Sequence, residues 1–298
     1  MTMVPRVSIG MPVFNGAATI KHSIESLLRQ TFSDFELIVS DNASTDSTRD
    51  IVEELAKADP RIRYVRHAEN RGANGNYSYL ALVSRGEYFK WATSSDMCAP
   101  KFIEQCLFAL ERDPQAVLAA PRTSLFAGDI LSAKPYDGDI EILDSTPSER
   151  LRKLRSSLGL NNVLNGLIRL DALRQTRLIE PYYQADIVLV GHLALLGKIL
   201  LVNEHLYYRR MEVATATALQ DRVAWRKHHY PTVSARMLFQ SWKKCAGWLH
   251  AGISTPVPFS EKIRVLTLVA RMCNWERRKL WDDLQSALQY FLRRGGRE

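Results

Sequence analysis

The sequence has no glycine-rich phosphate loop. It contains no G-x-x-x-x-G-K-[S/T] stretch, which excludes a P-loop nucleotide enzyme. No G-x-G-x-x-G turn follows the first predicted strand either, which weighs against a dinucleotide cofactor. Cysteine is scarce. Cys98, Cys106, Cys245 and Cys273 have neither zinc-ligand nor redox-pair spacing, and they read as reduced thiols of a cytoplasmic protein. No run approaches the roughly 18–20 consecutive apolar residues of a membrane span. The first residues, MTMVPRVSIGMPVFNG, hold no signal-peptide core and lead straight into a strand pattern. Internal repeats and low-complexity tracts are also missing, which leaves a globular chain of one large domain or a domain with an extension.

Charge is present but unevenly placed. The net +8 of the 298 residues is carried by residues 219–298, where 15 Lys and Arg face 6 Asp and Glu. The first 218 residues come out near neutral. Five of the six tryptophans (Trp225, Trp242, Trp248, Trp275 and Trp281) share the basic segment. We therefore divide the chain into 1–218 and a basic, Trp-rich extension, 219–298. No nucleic-acid module accompanies the charge, so nucleic acid is not an expected partner.

Periodicity sets the fold class. Strand patterns at 7–13, 35–40, 62–66 and 87–92 alternate with helical patterns at 17–30, 45–58 and 73–84. That alternation implies a doubly wound, mostly parallel α/β sheet. Further on, 100–112 reads as a helix, 117–127 as one or two strands, and 148–158 as a helix. Residues 184–198 form a strongly apolar helix and 199–210 a strand pair. The Gly-, Asp- and Pro-containing stretch 128–147 is the best candidate for a mobile lid. The remainder is mostly helical, broken at 252–260.

Two strands of this series end in acidic loops, at Asp41 and Asp96, and an open α/β sheet binds its ligand at those carboxyl ends. Pro12-Val13-Phe14-Asn15-Gly16 turns sharply into a helix; Phe14 can flank a planar base, and exposed amides suit anionic oxygens. The loop Asp41–Asp46 offers short polar side chains to base or ribose donors. The same residues also suit a plain turn and helix cap, and both readings stay open.

VSIGMPVFN, SDNASTDST, ENRGANGNYSYLALVSRGEYFKWATSSD and LALLGKILLVNEHLYYRR, in that order, together resemble the GT-A glycosyltransferases of family 2 over about residues 6–211. The resemblance implies a Rossmann-like sheet flanked by helices and an inverting transferase using a nucleotide diphosphate sugar. It matches Pro12, Phe14 and Asn15 to the first nucleotide loop, and Asp41 to the acidic residue that reads the base. Asn70, Gly72 and Asn76 fall beside the nucleotide, with Arg71 at the phosphates. Ser94, Ser95 and Asp96 align with the D-x-D motif, Asp96 being the ligand of Mg²⁺ or Mn²⁺. Asp186 falls at the general base. Arg209 and Arg210 correspond to the basic element near the diphosphate. Ser94 departs from the pattern, replacing the first D-x-D carboxylate with a neutral hydroxyl. Metal binding then rests on Asp96, the diphosphate and water, or the arginines neutralise the diphosphate instead.

Elementary chemistry is consistent with those roles. A sugar hydroxyl is a poor nucleophile, so a carboxylate must take its proton. Asp186 precedes a nearly all-apolar helix, where a carboxylate is either a cap or a placed base. The arginine pair has a plainer reading as a solvated strand end. His192, His205, His228 and His229 read as packing or surface residues rather than ligands. In the extension, Trp275, Leu280, Trp281, Leu284, Leu288 and Phe291 share one helical stripe. That stripe fits either packing, on this chain or in a homo-oligomer, or contact with an anionic inner-membrane surface. The expected acceptor is a hydroxyl of a glycan or lipid-linked glycan in bacterial surface polysaccharide synthesis. The alternative is a non-catalytic nucleotide-sugar binding or scaffold protein, which the lean Ser94-Ser95-Asp96 motif favours. A nucleotidyltransferase would share the sheet but lacks its basic, glycine-rich loop here.

Overall fold

The structure, a computed structural model, describes residues 4–212 and 238–295. Trp225, His228 and His229 lie outside the described residues. The strands are β1 (Val7–Val13), β2 (Phe35–Asp41), β3 (Ile62–Arg66), β4 (Tyr88–Trp91), β5 (Met97–Cys98), β6 (Ala116–Phe126), β7 (Lys134–Pro135), β8 (Leu167–Arg169) and β9 (Lys198–Arg210). They form one sheet in the order β3-β2-β1-β4-β8-β6-β9-β5, with β7 against β6. The first four strands are mutually parallel, as are β6 and β9. Antiparallel β8 joins the two groups, and antiparallel β5 closes the edge. The mixed, mostly parallel character agrees with the expectation from sequence.

Helices cover both faces, which is why β1 and β2 are buried along their whole length. On one side lie α1 (Ile20–Leu28), α2 (Thr48–Ala58) and α4 (Phe102–Arg112), packed over Ile9, Met11, Leu37 and Val39. On the other lie α3 (Ala73–Val83), α5 (Pro147–Ser157), α6 (Leu170–Arg174) and α7 (Ala185–Leu196), over Phe89, Trp91, Leu118 and Ile168. Gly10 marks how closely α3 approaches β1: a Cβ there would stand 2.9 Å from Leu80 Cβ and 3.0 Å from the Phe89 ring. Any side chain would overpack that seam.

Three later features sharpen the sequence reading, and the first corrects it. The expected strand pair at 199–210 is the single strand β9, thirteen residues long. It follows β6 through register shifts on either side of Arg122, which bend it without a turn. Within it, Asn203 accepts a 2.6 Å hydrogen bond from Arg122 Nε across the strands. Residues 117–127 are likewise one strand. The stretch 128–147 is anchored at its far end: Asp139 accepts hydrogen bonds from the Thr123 amide and hydroxyl, and Ile142 bridges Ile199.

Three helices, Gln240–Ser254, Phe259–Trp275 and Arg277–Gly295, form the described part of the extension. The first two add Trp248, Val265, Val269 and Met272 to the core that contains α5 and α7. Trp248 lies over Gly191 of α7 so closely that a Cβ there would meet its ring at 2.2 Å. The last helix turns Ala287 inward, and its Asp283 carboxylate accepts from the Ser241 amide. Its Trp281, Leu284, Leu288 and Leu292 are exposed, as is Trp275 just before it. Among the described residues most of the predicted stripe therefore does not pack against this chain, although Leu280 is half-buried; the Phe291 side chain lies outside the described residues.

Candidate active site

The carboxyl ends of the parallel neighbours β1, β2 and β4 lie side by side. Asn15 follows β1 in the left-handed region, φ 53°, which asparagine tolerates better than most residues. Its amide donates to Ser44 Oγ (2.9 Å), and its Oδ1 accepts from the Thr45 amide (2.8 Å). The Gly16 amide donates to Thr48 Oγ1 and the Ala17 amide to Asp46 Oδ2. The loops after β1 and β2 are thus stitched together, and the Phe14 ring stays exposed above them. Burial alone would raise the Asp46 carboxyl. The Thr48 hydroxyl and the amides of Ala17 and Thr48 outweigh it and hold this group below the usual range. Pro12 is buried within β1.

Asp41 is fully buried beneath this loop. It accepts from the Ser44 amide (2.8 Å) and the Tyr64 hydroxyl (2.6 Å), with Arg66 Nε at 3.5 Å. Burial, and then the Asp41 carboxylate, push the Tyr64 phenol up, which keeps it a donor. Asn42 donates to Asn70 Oδ1 and accepts from the Arg71 amide; Asn70 Oδ1 also caps the Gly72 amide. Gly72 needs its φ of 77° to enter α3. The Arg71 side chain is exposed, its guanidinium 5.8 Å above the Tyr79 ring. Asn76 is buried and ties both ends of its amide to Ser40, bracing the end of β2.

Asp96 is reached from β4 and held from β9. Its Oδ1 accepts from the Arg210 amide at 2.8 Å and its Oδ2 from the Tyr207 hydroxyl. The Ser94 carbonyl accepts from Thr19 Oγ1, and Gly16 is close enough that a Cβ there would lie 3.3 Å from Ser94 Oγ. The Ser95 carbonyl accepts from Arg210 Nε. Beneath Asp96, Lys90 is fully buried, 4.0 Å from the Phe102 ring centre, and donates to the Asn165 and Trp91 carbonyls. Burial lowers its ammonium from the ordinary lysine value.

The two arginines diverge, because successive strand residues face opposite sides. Arg210 donates to Glu212 Oε1 (2.6 Å) and the Gly128 carbonyl and lies over the Phe126 ring. Arg209 donates to Asn162 Oδ1. Among the described residues no three His, Cys, Asp or Glu side chains cluster as a metal cage. His205 is engaged with the Thr123 carbonyl and Ser124 hydroxyl of β6. A lone carboxylate such as Asp96 fits a hard cation whose other ligands come from a bound anionic molecule and water.

Asp186 sits in the first turn of α7, half-buried. The cap position belongs to Gln184, φ 63°, which makes no side-chain cap bond. Asp186 is therefore not the cap; its Oδ2 accepts from Asn161 Nδ2 at 2.9 Å. Tyr77 of α3 was missed in the sequence; its carbonyl accepts from Trp91 Nε1, and burial first, with the charges of Asp96 and Asp186 adding to it and Arg209 opposing, pushes its phenol up. Asn161, Asn162 and Tyr207 were also missed. Their contacts, at separations of 25, 47 and 111 residues, carry no local signal.

Known proteins resemble this chain in sequence and in fold. A stretch of 110 residues is 34% identical to chondroitin synthase of Escherichia coli, covering 37% of this chain and 16% of that one. Another of 94 residues is 34% identical to the GalNAc(5)-diNAcBac-PP-undecaprenol beta-1,3-glucosyltransferase of Campylobacter jejuni, covering 31% and 30%. The chain thus aligns with less than a third of either relative's length. Among solved structures, S. aureus TarS 1-349 in complex with UDP-GlcNAc superposes with a TM-score of 0.64 at 14% identity, over 95% of this chain and 81% of that one. The mannosyltransferase PcManGT of Pyrobaculum calidifontis, in complex with GDP-Man and Mn²⁺, gives 0.54 at 15%, over 96% and 86%. Those structures share the GT-A fold. The model of the glycosyl transferase family 2 matches residues 8–174, more than half of the sequence, and the chain belongs to that family.

Proposed function

We propose that this protein transfers a sugar from a nucleotide diphosphate sugar to a hydroxyl of a glycan or lipid-linked glycan, with inversion, in bacterial surface polysaccharide synthesis. The observation that supports the reading most directly is the chain of contacts from Asp96 to Asp186: Asp96 is held by Tyr207 and the Arg210 amide, the adjacent Arg209 donates to Asn162, and neighbouring Asn161 donates to Asp186. The relatives' names supply the acceptor class, and the ligands of the solved neighbours supply the donor class.

The nucleotide lies against Phe14 and the stitched loops, with its diphosphate toward Ser94, Asp96 and the start of α3 near Arg71. Asp96 would hold a divalent cation, Mg²⁺ or Mn²⁺, which would supply charge neutralisation when bound. Asp186 accepts the proton of the acceptor hydroxyl as its oxygen bonds to the anomeric carbon. The bond from that carbon to the diphosphate oxygen breaks, and the diphosphate leaves with the electron pair. A single displacement inverts the centre. Ser94 offers the ribose a hydroxyl without adding charge. Asp186→Asn removes the proton acceptor and keeps its shape, so transfer should fall about 10²–10⁴-fold with nucleotide binding intact. Retained transfer would sink the base assignment.

The exposed stripe of the last helix, with Arg277, Arg278 and Lys279 at its start, supports peripheral contact with the inner face of the membrane. No described helix is long and apolar enough to cross one. The scaffold reading keeps one favouring feature, the missing carboxylate at Ser94. Hydrolysis of a nucleotide sugar by the purified protein, without acceptor, excludes it.

A further inference from the structure

Asn161 stands at the cap position of the short 3₁₀ turn Asn162–Asn165. Asparagine normally serves such a position by turning its side-chain oxygen onto the amides of the turn it begins. Here it does not: the turn has no side-chain cap bond. The amide is swung the other way, and Nδ2 donates to Asp186 Oδ2 at 2.9 Å. The consequence is visible on the other end of the same group, because Asn161 Oδ1 is buried with no hydrogen-bond partner. A buried, unsatisfied carbonyl oxygen is costly and calls for an explanation. Rotating the amide by half a turn would aim Oδ1 at the carboxylate, oxygen against oxygen, so the donor end is fixed by Asp186 itself.

The neighbouring residue makes the arrangement a bridge. Asn162 Oδ1 accepts from Arg209, and its Nδ2 donates to Asp139 at 3.0 Å. Asp139 is in turn held by the amide and hydroxyl of Thr123 in β6. One turn thus ties the α7 carboxylate to the cation at the end of β9, and both to the sheet. α7 is otherwise a nearly all-apolar helix without a capping side chain, and the Asn161 bond is the contact that fixes the Asp186 carboxylate.

We infer that Asn161 is a positioning residue for the reaction: it orients the Asp186 carboxylate toward the acceptor hydroxyl and gives up its own capping bond to do so. This inference rests on the reading of Asp186 as the proton acceptor. Oriented this way, Oδ2 is fixed by the amide and the remaining oxygen is presented for proton transfer. A misplacement of a reacting group by about 1 Å can cost on the order of 10²-fold in rate.

The test separates positioning from structural support. Asn161→Ala removes a donor to Asp186 and also removes the orphaned oxygen, so the melting temperature should stay within about 2 °C of wild type or rise. Calorimetry with UDP and GDP should give unchanged affinity. Nucleoside diphosphate release from UDP-GlcNAc or GDP-mannose, with water and with 4-nitrophenyl glycosides as acceptors, should fall about 10- to 100-fold in kcat with donor KM unchanged. Asn161→Asp keeps the shape, sets a second carboxylate against Asp186, and should lose at least as much. A drop of about 5 °C or more in Asn161→Ala would mark a structural role and overturn the inference, as would unchanged kcat in either variant. Asp186→Asn, run beside them, distinguishes the two failures. If it keeps activity, the base reading falls; if it loses activity while Asn161→Ala does not, only the positioning role falls.

Discussion

The sheet half of the molecule and its C-terminal helices use their side chains in opposite ways. At the carboxyl end of the sheet, polar groups are turned onto one another: Asn15 with Ser44 and Thr45, Asn42 with Asn70, Asn76 with Ser40, Asp96 with Tyr207 and Arg210. At the other end, Trp275, Trp281, Leu288 and Leu292 are each more than 60% exposed. The charge follows the same division, near neutral before residue 219 and strongly positive after it. A small, highly charged ligand needs loops fixed before it arrives, because every group that must be ordered on binding weakens the complex. A broad partner needs area and long-range attraction instead. On the proposed reading, the contrast separates a preorganised donor site from a docking surface.

The largest effect should come from breaking the donor half at its centre. Asp41→Ala leaves the Ser44 amide and the Tyr64 hydroxyl without their acceptor at a fully buried position, and takes the ion-pair partner from the part-exposed Arg66. We expect a loss of about 3 kcal/mol in urea unfolding, with nucleotide binding lost at the same time. Asp41→Asn keeps an acceptor for Ser44 and should fall between. A change below about 1 kcal/mol for the alanine variant would mean that the stitched loops stand without their buried carboxylate.

A smaller effect should appear where the halves meet. His192 of α7 is buried against His250, ring centroids 6.3 Å apart, with Ser254 Oγ 3.4 Å from its Nε2. Burial, and then His250, lower its pKa to about 4 from 6.5. The folded state thus resists a proton that the unfolded chain accepts. Stability from this site is complete above about pH 6.5 and is lost progressively as pH falls through the window from 6.5 to 4. Between pH 7 and 5 the loss is on the order of 2 kcal/mol. Thermal melts across that range should show it, His192→Gln should flatten the slope, and hydrogen exchange should report opening first along the helix Gln240–Ser254. An equal slope in His192→Gln would place the acid sensitivity elsewhere.

The same contrast explains what the sequence reveals. Strands β1 to β4 are legible because each is a short apolar run bounded by turn residues, and Asp41 and Asp96 are legible because they end those runs. The roles of Asn161 and Asn162 are not, since an Asn-Asn pair before a tight turn looks the same whether or not it meets Asp186. The stretch 128–147 has the composition of a lid, yet Ile142 pairs with Ile199 and Asp139 with Thr123, contacts that no local pattern carries. Asn203-Glu204 has turn chemistry, but bulged pairing with β6 carries the strand through it. In the extension, the helical period identifies an apolar stripe, and only packing decides which part of it faces outward.

The smallest expected effect bears on that stripe. Its outward residues recur at 281, 284, 288 and 292, one side of a helix, while Ala287 faces the core. Arg277, Arg278 and Lys279 stand at its start, where they can meet anionic headgroups as the tryptophans enter the interface. Vesicles of phosphatidylglycerol and phosphatidylcholine in equal parts should sediment the protein, and pure phosphatidylcholine should do so weakly. Trp281→Ala and Leu288→Ser should each reduce partitioning several-fold, roughly 1–2 kcal/mol apiece, without altering the melting temperature. Added salt should weaken binding further, because the headgroup attraction is screened. Equal sedimentation by both lipid compositions would remove the electrostatic part of the argument. A dimer in solution that both substitutions dissociate, with no vesicle binding at all, would assign the stripe to a second copy of this chain.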